Sequence, residues 1–193
     1  MPKEDWKNNP VHEIFKKENL WPFKDDSIIS VLDVACGLSL KSKFLAPQII
    51  VGVDIHEPYL KAIESDVPYV VIKADARQFD GLFLDNSFDV VYALDIIEHL
   101  EKEDALSLIR QCKRICRKAV IIETPNGYVP QNIDIQGFGA DHFQTHRCGW
   151  SVEELGELGF ECLVREYKMQ DIKRHTDLSV NVNIELVDGI YLK

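Results

Sequence analysis

The chain has 193 residues, 46% hydrophobic and 28% charged, which is ordinary globular usage and excludes disorder, a collagen repeat or a coiled coil. Lysine and arginine number 22 against 32 aspartates and glutamates, and the net charge of -10 disfavours nucleic acid as a partner. No apolar run approaches the ~20 residues that cross a bilayer, the amino terminus MPKEDWKNNP lacks a signal-peptide core, and five irregularly spaced cysteines make no disulfide scaffold, so a soluble cytoplasmic protein is expected.

In chain order, VHEIFKKENLW reads as a short helix that packs Val11, Ile14, Phe15 and Trp21 onto the domain, within an N-terminal cap of residues 1–25. Five runs then read as strands: IISVLDV from Ile28, QIIVGVD from Gln48, YVVIKAD from Tyr69, FDVVYAL from Phe88 and KAVIIET from Lys118. They are apolar at consecutive positions, which implies burial on both faces and a parallel sheet. Between the first two, SLKSKFLAP suggests a shortened helix. EKEDALSLIRQCKRICRK carries Ala105, Leu108, Ile109, Cys112, Ile115 and Cys116 at helical spacing, with Glu101, Glu103 and Asp104 at its start and Lys113, Arg114, Arg117 and Lys118 at its end. That polarity complements the helix dipole.

Residues 125–149 are too long for a plain connection and read as a substrate-side loop. Ser151 with Glu154 forms a capping box that opens a helix ending at Gly159. FECLVREYKM and the strictly alternating LSVNVNIEL from Leu178 read as an antiparallel pair with one solvated face. The expectation is one domain over residues 1–193, an α/β fold. Its doubly wound sheet has seven strands, mostly parallel, with helices on both faces and an antiparallel C-terminal strand.

The candidate chemistry lies at the strand tips. The first strand ends in VLDVACGLS, where Asp33, Ala35, Cys36 and Gly37 form a small-residue turn that can bring backbone N–H groups near a ligand. The GxGxxG of a dinucleotide site is missing, which argues against a dehydrogenase. The second strand ends in VGVDIHEP, and the Asp54 carboxylate there suits a ribose diol. The third ends in KADARQFD, with Asp75 placed to hold an amine of a base.

Taken in order, VLDVACGLS, VGVDIHEPYL, KADARQFD, NSFDVVYALDIIEHL and VIIETPNGY resemble the motifs of the class I S-adenosylmethionine-dependent methyltransferases over roughly residues 28–128. The resemblance implies a Rossmann-like methyltransferase fold and S-adenosylmethionine as cofactor. Asp33 would orient the amino acid end, and the turn through Ala35, Cys36 and Gly37 would approach it by backbone. Asp54 with Ile55 would hold the ribose, and Asp75 with Ala76 the adenine. Asp95 would border the same site. The implied reaction is methyl transfer to an oxygen or nitrogen of a small-molecule acceptor.

After the fourth strand, Asp95, Glu98 and His99 enter a helical turn on which they can share a face. With His142 or His146 from the later loop they are similar to the ExxEH and distant His of metal-dependent RNA 2′-O-methyltransferases. A divalent metal there is an alternative that is not favoured over His99 acting as a base without metal. DHFQTHRCGW places His142 and His146 at helical i, i+4 spacing with Cys148 nearby, a weak structural-zinc pattern. His99 is the first choice of base, and His142 or His146 the second. A noncatalytic cofactor-binding module is the remaining alternative.

Overall fold

The computed structural model describes residues 15–24, 27–38, 47–169 and 182–193. Val11, Ile14 and most of SLKSKFLAP lie outside them. Seven strands form one sheet: β1 (Ser30–Val34), β2 (Ile49–Asp54), β3 (Tyr69–Lys73), β4 (Phe88–Leu94), β5 (Cys116–Pro125), β6 (Glu161–Met169) and β7 (Val182–Leu192). Their order is β3-β2-β1-β4-β5-β7-β6. β1 to β5 pair in parallel, while β7 runs antiparallel between β5 and β6. The sequence order reverses beside β1, which puts a topological switch point between the carboxyl ends of β1 and β4.

Burial follows the position of each strand. β1 is buried throughout and β4 nearly so, as consecutive apolar residues require in a covered parallel sheet. β3 has the same composition but is an edge strand, and Val70 and Val71 are 46% and 47% exposed; two-face burial fails there because one flank has no neighbour. β7 departs in the other direction. Its Leu186–Ile190 stretch is buried residue after residue, because Val187 joins the core cluster on the helix side of the sheet and Ile190 the cluster on the opposite side.

One face of the sheet presents Leu32, Val34, Val91, Ala93, Val120 and Ile122 to helix α2 (Lys102–Ile115) and to Leu155 of α3 (Val152–Glu157). The other packs Val31, Ile50, Val90, Tyr92, Ala119 and Ile121 against Phe15, Trp21 and Ile28. A further short helix, α1 (Glu57–Ala62), follows β2. Phe15 and Trp21 are therefore core residues, as their spacing indicates. In α2, Ala105, Leu108, Ile109, Cys112 and Ile115 are buried. The helix ends at Ile115, however, and β5 starts at the next residue. Arg117 and Lys118 thus belong to the strand rather than to the helix end, and both reach the buried Asp89, at 3.1 and 3.8 Å. The capping box forms with both its bonds: Glu154 N–H donates to Ser151 Oγ at 3.2 Å and Ser151 N–H to Glu154 Oε2 at 2.9 Å.

The segment after β5 is pinched at its root. Gly127 N–H donates to Trp150 O at 2.6 Å, and a Cβ on Gly149 would lie 2.5 Å from Tyr128 N. Backbone occupies that space and has nowhere to go. Gly149→Ala is expected to lower stability by about 1–3 kcal/mol, read as a drop in melting temperature; an unchanged melting temperature would show that the two loop ends are not clamped.

Beyond the helix-covered strands, charge is buried between β5, β7 and β6. Glu123 and Asp188 face each other across the β5–β7 pair, and Arg165 bonds both, with its Nε 2.6 Å from Asp188 Oδ2. Burial and the adjacent Glu123 push the Asp188 carboxyl up to about 7, against the pull of Arg165. The unfolded chain loses this proton near pH 4 and the folded chain later, so the folded state binds the extra proton and stability falls as pH rises through that window. Melting temperature measured at pH 5 and pH 8 is expected to fall less in Asp188→Asn than in the parent protein. Parallel losses in the two proteins would sink the assignment.

Candidate active site

The carboxyl ends of β1, β2, β3 and β4 open on a single cleft, walled on its far side by residues of the long loop. β1 and β4 both end in left-handed backbone: Ala35 has φ 53° and Asp95 φ 53°. Left-handed backbone costs a residue with a Cβ roughly 1–2 kcal/mol and is typical of functional turns. Here it turns the chain away at the switch point and leaves room between the two tips.

Ala35, Gly37, Asp54, Ile55, Asp75, Ala76, Asp95, His99 and His142 all line this cleft. Asp33, Cys36 and His146 are not on its wall. Asp33 is buried on β1 beneath the turn. The Cys36 thiol is pushed up by burial and by the charges of Asp33 and Asp54, so it is an inert small residue. His146 is buried behind His99, the two rings edge to face with centroids 4.6 Å apart.

The first turn differs from expectation in one respect. Its N–H groups do not face a ligand: Cys36 N–H donates to Val53 O at 3.0 Å and Gly37 N–H to Asp54 Oδ2 at 2.9 Å. Asp54 also accepts from His56 N–H at 2.7 Å on its other oxygen. Burial raises the Asp54 carboxyl, while these backbone bonds oppose the rise. Backbone N–H groups of His56, Gly37 and Ile55 hold the carboxylate at the cleft, and its remaining lone-pair capacity suits a vicinal diol.

Asp75 caps a single 3₁₀ turn, Ala76–Gln78, by accepting from Arg77 N–H at 2.9 Å. The Arg77 guanidinium grips the same carboxylate, with Nη2 2.5 Å from Oδ2, and this pair holds Asp75 below the usual carboxylate range. Sequence spacing alone does not reveal that competition. An amine at Asp75 must share the carboxylate with Arg77.

A second 3₁₀ turn, Ile97–His99, follows Asp95. It does not present Asp95, Glu98 and His99 on one helix face. Asp95 and His99 border the cleft, whereas Glu98 is 2% exposed and accepts from the Thr124 hydroxyl at 2.9 Å. Burial, then the neighbouring Asp95, drives the Glu98 carboxyl well up. His99 is pushed down to about 4, first by burial and then by His146, so its imidazole is neutral at physiological pH. Burial also lowers His146.

The segment from 142 to 146 is not helical, so the i, i+4 spacing brings nothing together. His142 is exposed on the cleft, His146 is turned inward, and the Cys148 thiol bonds Ile97 O at 3.4 Å. The structural-zinc pattern is thus absent. Residues not singled out in the sequence complete the wall: His56, Tyr59, Phe143, Gln144 and Arg147. Asp134 organises this part of the loop. It accepts from Gln136, Phe138 and Ala140 N–H and from the Tyr59 hydroxyl of α1 at 2.6 Å. His56 Nε2 meets Phe138 O at 2.8 Å. The signal was local, since NIDIQGFG is an Asp followed by two glycines, both with positive φ, a turn-forming string.

The donor set fits a nucleoside linked to an amino acid. A rigid carboxylate suits a diol, a second at the β3 tip suits an amine, and Ile55, Ile96, Leu100 and Phe143 supply apolar wall. With the Cys36 and Gly37 N–H groups turned inward, the first turn suits an ammonium better than a pyrophosphate.

Residues 32–122 match the family model described as a methyltransferase domain. No curated protein sequence matches the chain. Among solved structures, an S-adenosylmethionine-dependent methyltransferase from Archaeoglobus fulgidus shares 18% identity at TM-score 0.59, over 95% of this chain and 94% of that one. TehB from Haemophilus influenzae shares 16% at TM-score 0.63, over 93% and 65%. Magnesium protoporphyrin IX methyltransferase from Synechocystis, solved with bound S-adenosylmethionine, shares 17% at TM-score 0.52, over 94% and 80%. The order of the seven strands and the cleft at their switch point are those of the Rossmann-like methyltransferase fold, and the match to the methyltransferase-domain model runs from Leu32 to Ile122.

Proposed function

We propose that the protein methylates an oxygen or nitrogen of a small-molecule acceptor, as one domain with residues 1–25 as a cap and residues 125–149 as the acceptor-side loop. The observation that carries this reading is the roofing of the cleft. The loop crosses from the turn after β4 to α1, where Tyr59–Asp134 and His56–Phe138 O tie it down. A roof of that kind suits a compact acceptor. A polyanion fits less well, since Asp54, Asp75 and Asp95 outnumber Arg77 and Arg147 on the walls.

When bound, S-adenosylmethionine supplies a methyl group on a sulfonium, which is already activated for transfer. The chain's own part is positioning and exclusion of water. Asp54 and Ile55 hold the ribose; Asp75 and Ala76, with Arg77 moved or shared, hold the adenine; Asp95 and the Ala35–Gly37 turn face the amino acid end, with Asp33 supporting the turn from below. Phe143 and Gln144 close the acceptor side. A hydroxyl or ammonium acceptor must lose a proton, and His99, uncharged and on the wall, is placed to take it, with the exposed His142 as the other candidate. His146, buried behind His99, acts on the acceptor only through that ring.

Two variants test the assignment. Asp54→Ala is expected to weaken S-adenosylhomocysteine by about 10–100-fold in calorimetry, the worth of hydrogen bonds to a charged group, while NAD fails to bind either protein; equal affinity in parent and variant would remove the ribose role. His99→Ala should lower turnover of any hydroxyl acceptor by about 10²–10⁴-fold and leave S-adenosylhomocysteine affinity intact. Turnover unchanged in that variant would transfer the role to His142.

A further inference from the structure

The cleft carries its charges on two sides. Asp54, Asp75 and Asp95 stand at the strand tips, and Arg147 stands on the loop wall. With 32 acids against 22 bases in the sequence, an arginine here readily finds a carboxylate: Arg77 pairs with Asp75, Arg114 with Asp85, Arg117 with Asp89 and Arg165 with Asp188. Arg147 pairs with no acid among the described residues. Its guanidinium donates from Nη2 to the His142 carbonyl at 3.3 Å, and the residue is exposed on the cleft.

The main chain nevertheless holds this residue in place. Arg147 N–H donates to Glu98 O at 2.8 Å, and the N–H groups on either side are also taken, His146 by Gln131 O at 2.9 Å and Cys148 by Glu98 O at 3.2 Å. Consecutive backbone bonds fix the Cα and leave the side chain as the part that can adjust. A guanidinium has five N–H donors in a planar fork, and the His142 carbonyl takes one of them. Close by is His99, whose imidazole the Arg147 charge helps to keep neutral. A staple to one carbonyl requires a single donor and no place on a cleft wall. A fork that lines a cleft suits an oxyanion, which offers two oxygens in one plane.

We propose that Arg147 anchors an oxyanion, a carboxylate or a phosphate, carried by the methyl acceptor. The division of charge supports this. With a ribose on Asp54, an adenine amine on Asp75 and an ammonium near Asp95, the carboxylates of the cleft serve the cofactor, and the charge left over is the Arg147 guanidinium. An acceptor docked there brings its own hydroxyl or amine beside His99, the group placed to take the proton. One oxyanion matches one guanidinium, whereas a polyanion running on along the cleft would meet the three acids. The acceptor class is thus a small hydroxy or amino compound with one anionic group. That the anion belongs to an acceptor rests on the methyl-transfer reading; the oxyanion site itself rests on Arg147 and its surroundings.

The test is titration of the full-length protein, saturated with S-adenosylhomocysteine, with inorganic phosphate and separately with acetate, at an ionic strength held constant with chloride. The phosphorus and methyl-proton NMR line widths of the two probes report binding. Saturable binding is expected; acetate binding assigns a carboxylate and phosphate binding alone a phosphate ester, and either supports the site. Arg147→Gln should weaken the anion about 10–100-fold, and Arg147→Lys, which keeps the charge without the fork, should fall between. Both variants should bind S-adenosylhomocysteine as the parent does, which shows that they fold. No saturable binding of either anion to the parent complex overturns the site and leaves methyl transfer standing, and binding unchanged in Arg147→Gln overturns it as well. Loss of S-adenosylhomocysteine affinity in Arg147→Gln also overturns it, because the guanidinium would then hold the cofactor's own carboxylate. Failure of the parent to bind S-adenosylhomocysteine sinks the methyl-transfer reading instead, and the same titrations of the ligand-free protein then decide the oxyanion site.

Discussion

The turn Ile97–His99 holds this molecule's two chemical halves together. Its backbone carbonyls receive the returning end of the loop: Trp150 Nε1 donates to Ile97 O at 3.2 Å, and Arg147 and Cys148 N–H donate to Glu98 O at 2.8 and 3.2 Å. Its side chains reach the other way, Glu98 to Thr124 on β5 and His99 to the Thr145 carbonyl. One three-residue turn thereby fixes the loop that roofs the cleft relative to the strand tips that form its floor. Trp150, 1% exposed, seals the joint, and Lys102 Nζ stands 3.6 Å over its ring. Because these bonds are buried, leaving any one unmade would cost on the order of 1–3 kcal/mol, so the turn and the loop root have no independent freedom.

Buried charge is the second constraint, and the chain meets it in different ways at different depths. Asp89, at the start of β4, takes N–H bonds from Ile29 and Ser30 and an ion pair from Arg117. Burial raises its carboxyl, but those partners hold it below the usual range, so it acts as a clamp at the end of the sheet away from the cleft. Asp188 and Glu123 share one arginine, which leaves more acid than base, and Asp188 keeps its proton to about pH 7. Glu98 has the Thr124 hydroxyl and imidazole neighbours. On the cleft wall itself Asp75 is paired with Arg77 and held low, while Glu98, behind the wall, is driven up by burial and by Asp95.

How far the sequence disclosed this depends on the range of the interaction that decides each feature. Strand identity in β1, β4 and β5 was legible because burial on two faces demands consecutive apolar residues, and the capping box of α3 was legible because both partners lie within four residues. The end of α2 was not: Arg117 and Lys118 continue a helical charge pattern, and Asp89, 28 residues away in sequence, draws Arg117 into a strand instead. The exposed face of β3 and the two-sided burial of β7 are matters of place in the sheet, which a single strand's composition does not encode. At the site, Asp54 and Asp95 were legible as polar residues at the tips of apolar strands. The grip of Arg77 on Asp75 turns on a rotamer, and the choice of His146 over His142 turns on a loop that spacing suggested was helical.

The direction of the N–H groups after β1 decides what kind of ligand the fold accepts. In a dinucleotide site the corresponding turn, rich in glycine, aims its N–H groups at a pyrophosphate on a helix amino terminus. Here Asp54 and Val53 take the N–H groups of Gly37 and Cys36 from the inside. The same carboxylate that stands ready for a ribose therefore also shapes the turn beside it. Losing Asp54 would remove a hydrogen-bond acceptor from the cleft and free an N–H at Gly37, changing the local preference from cation toward anion. On the proposed reading, one strand-tip aspartate thus acts on both sides, toward the ribose and toward the turn.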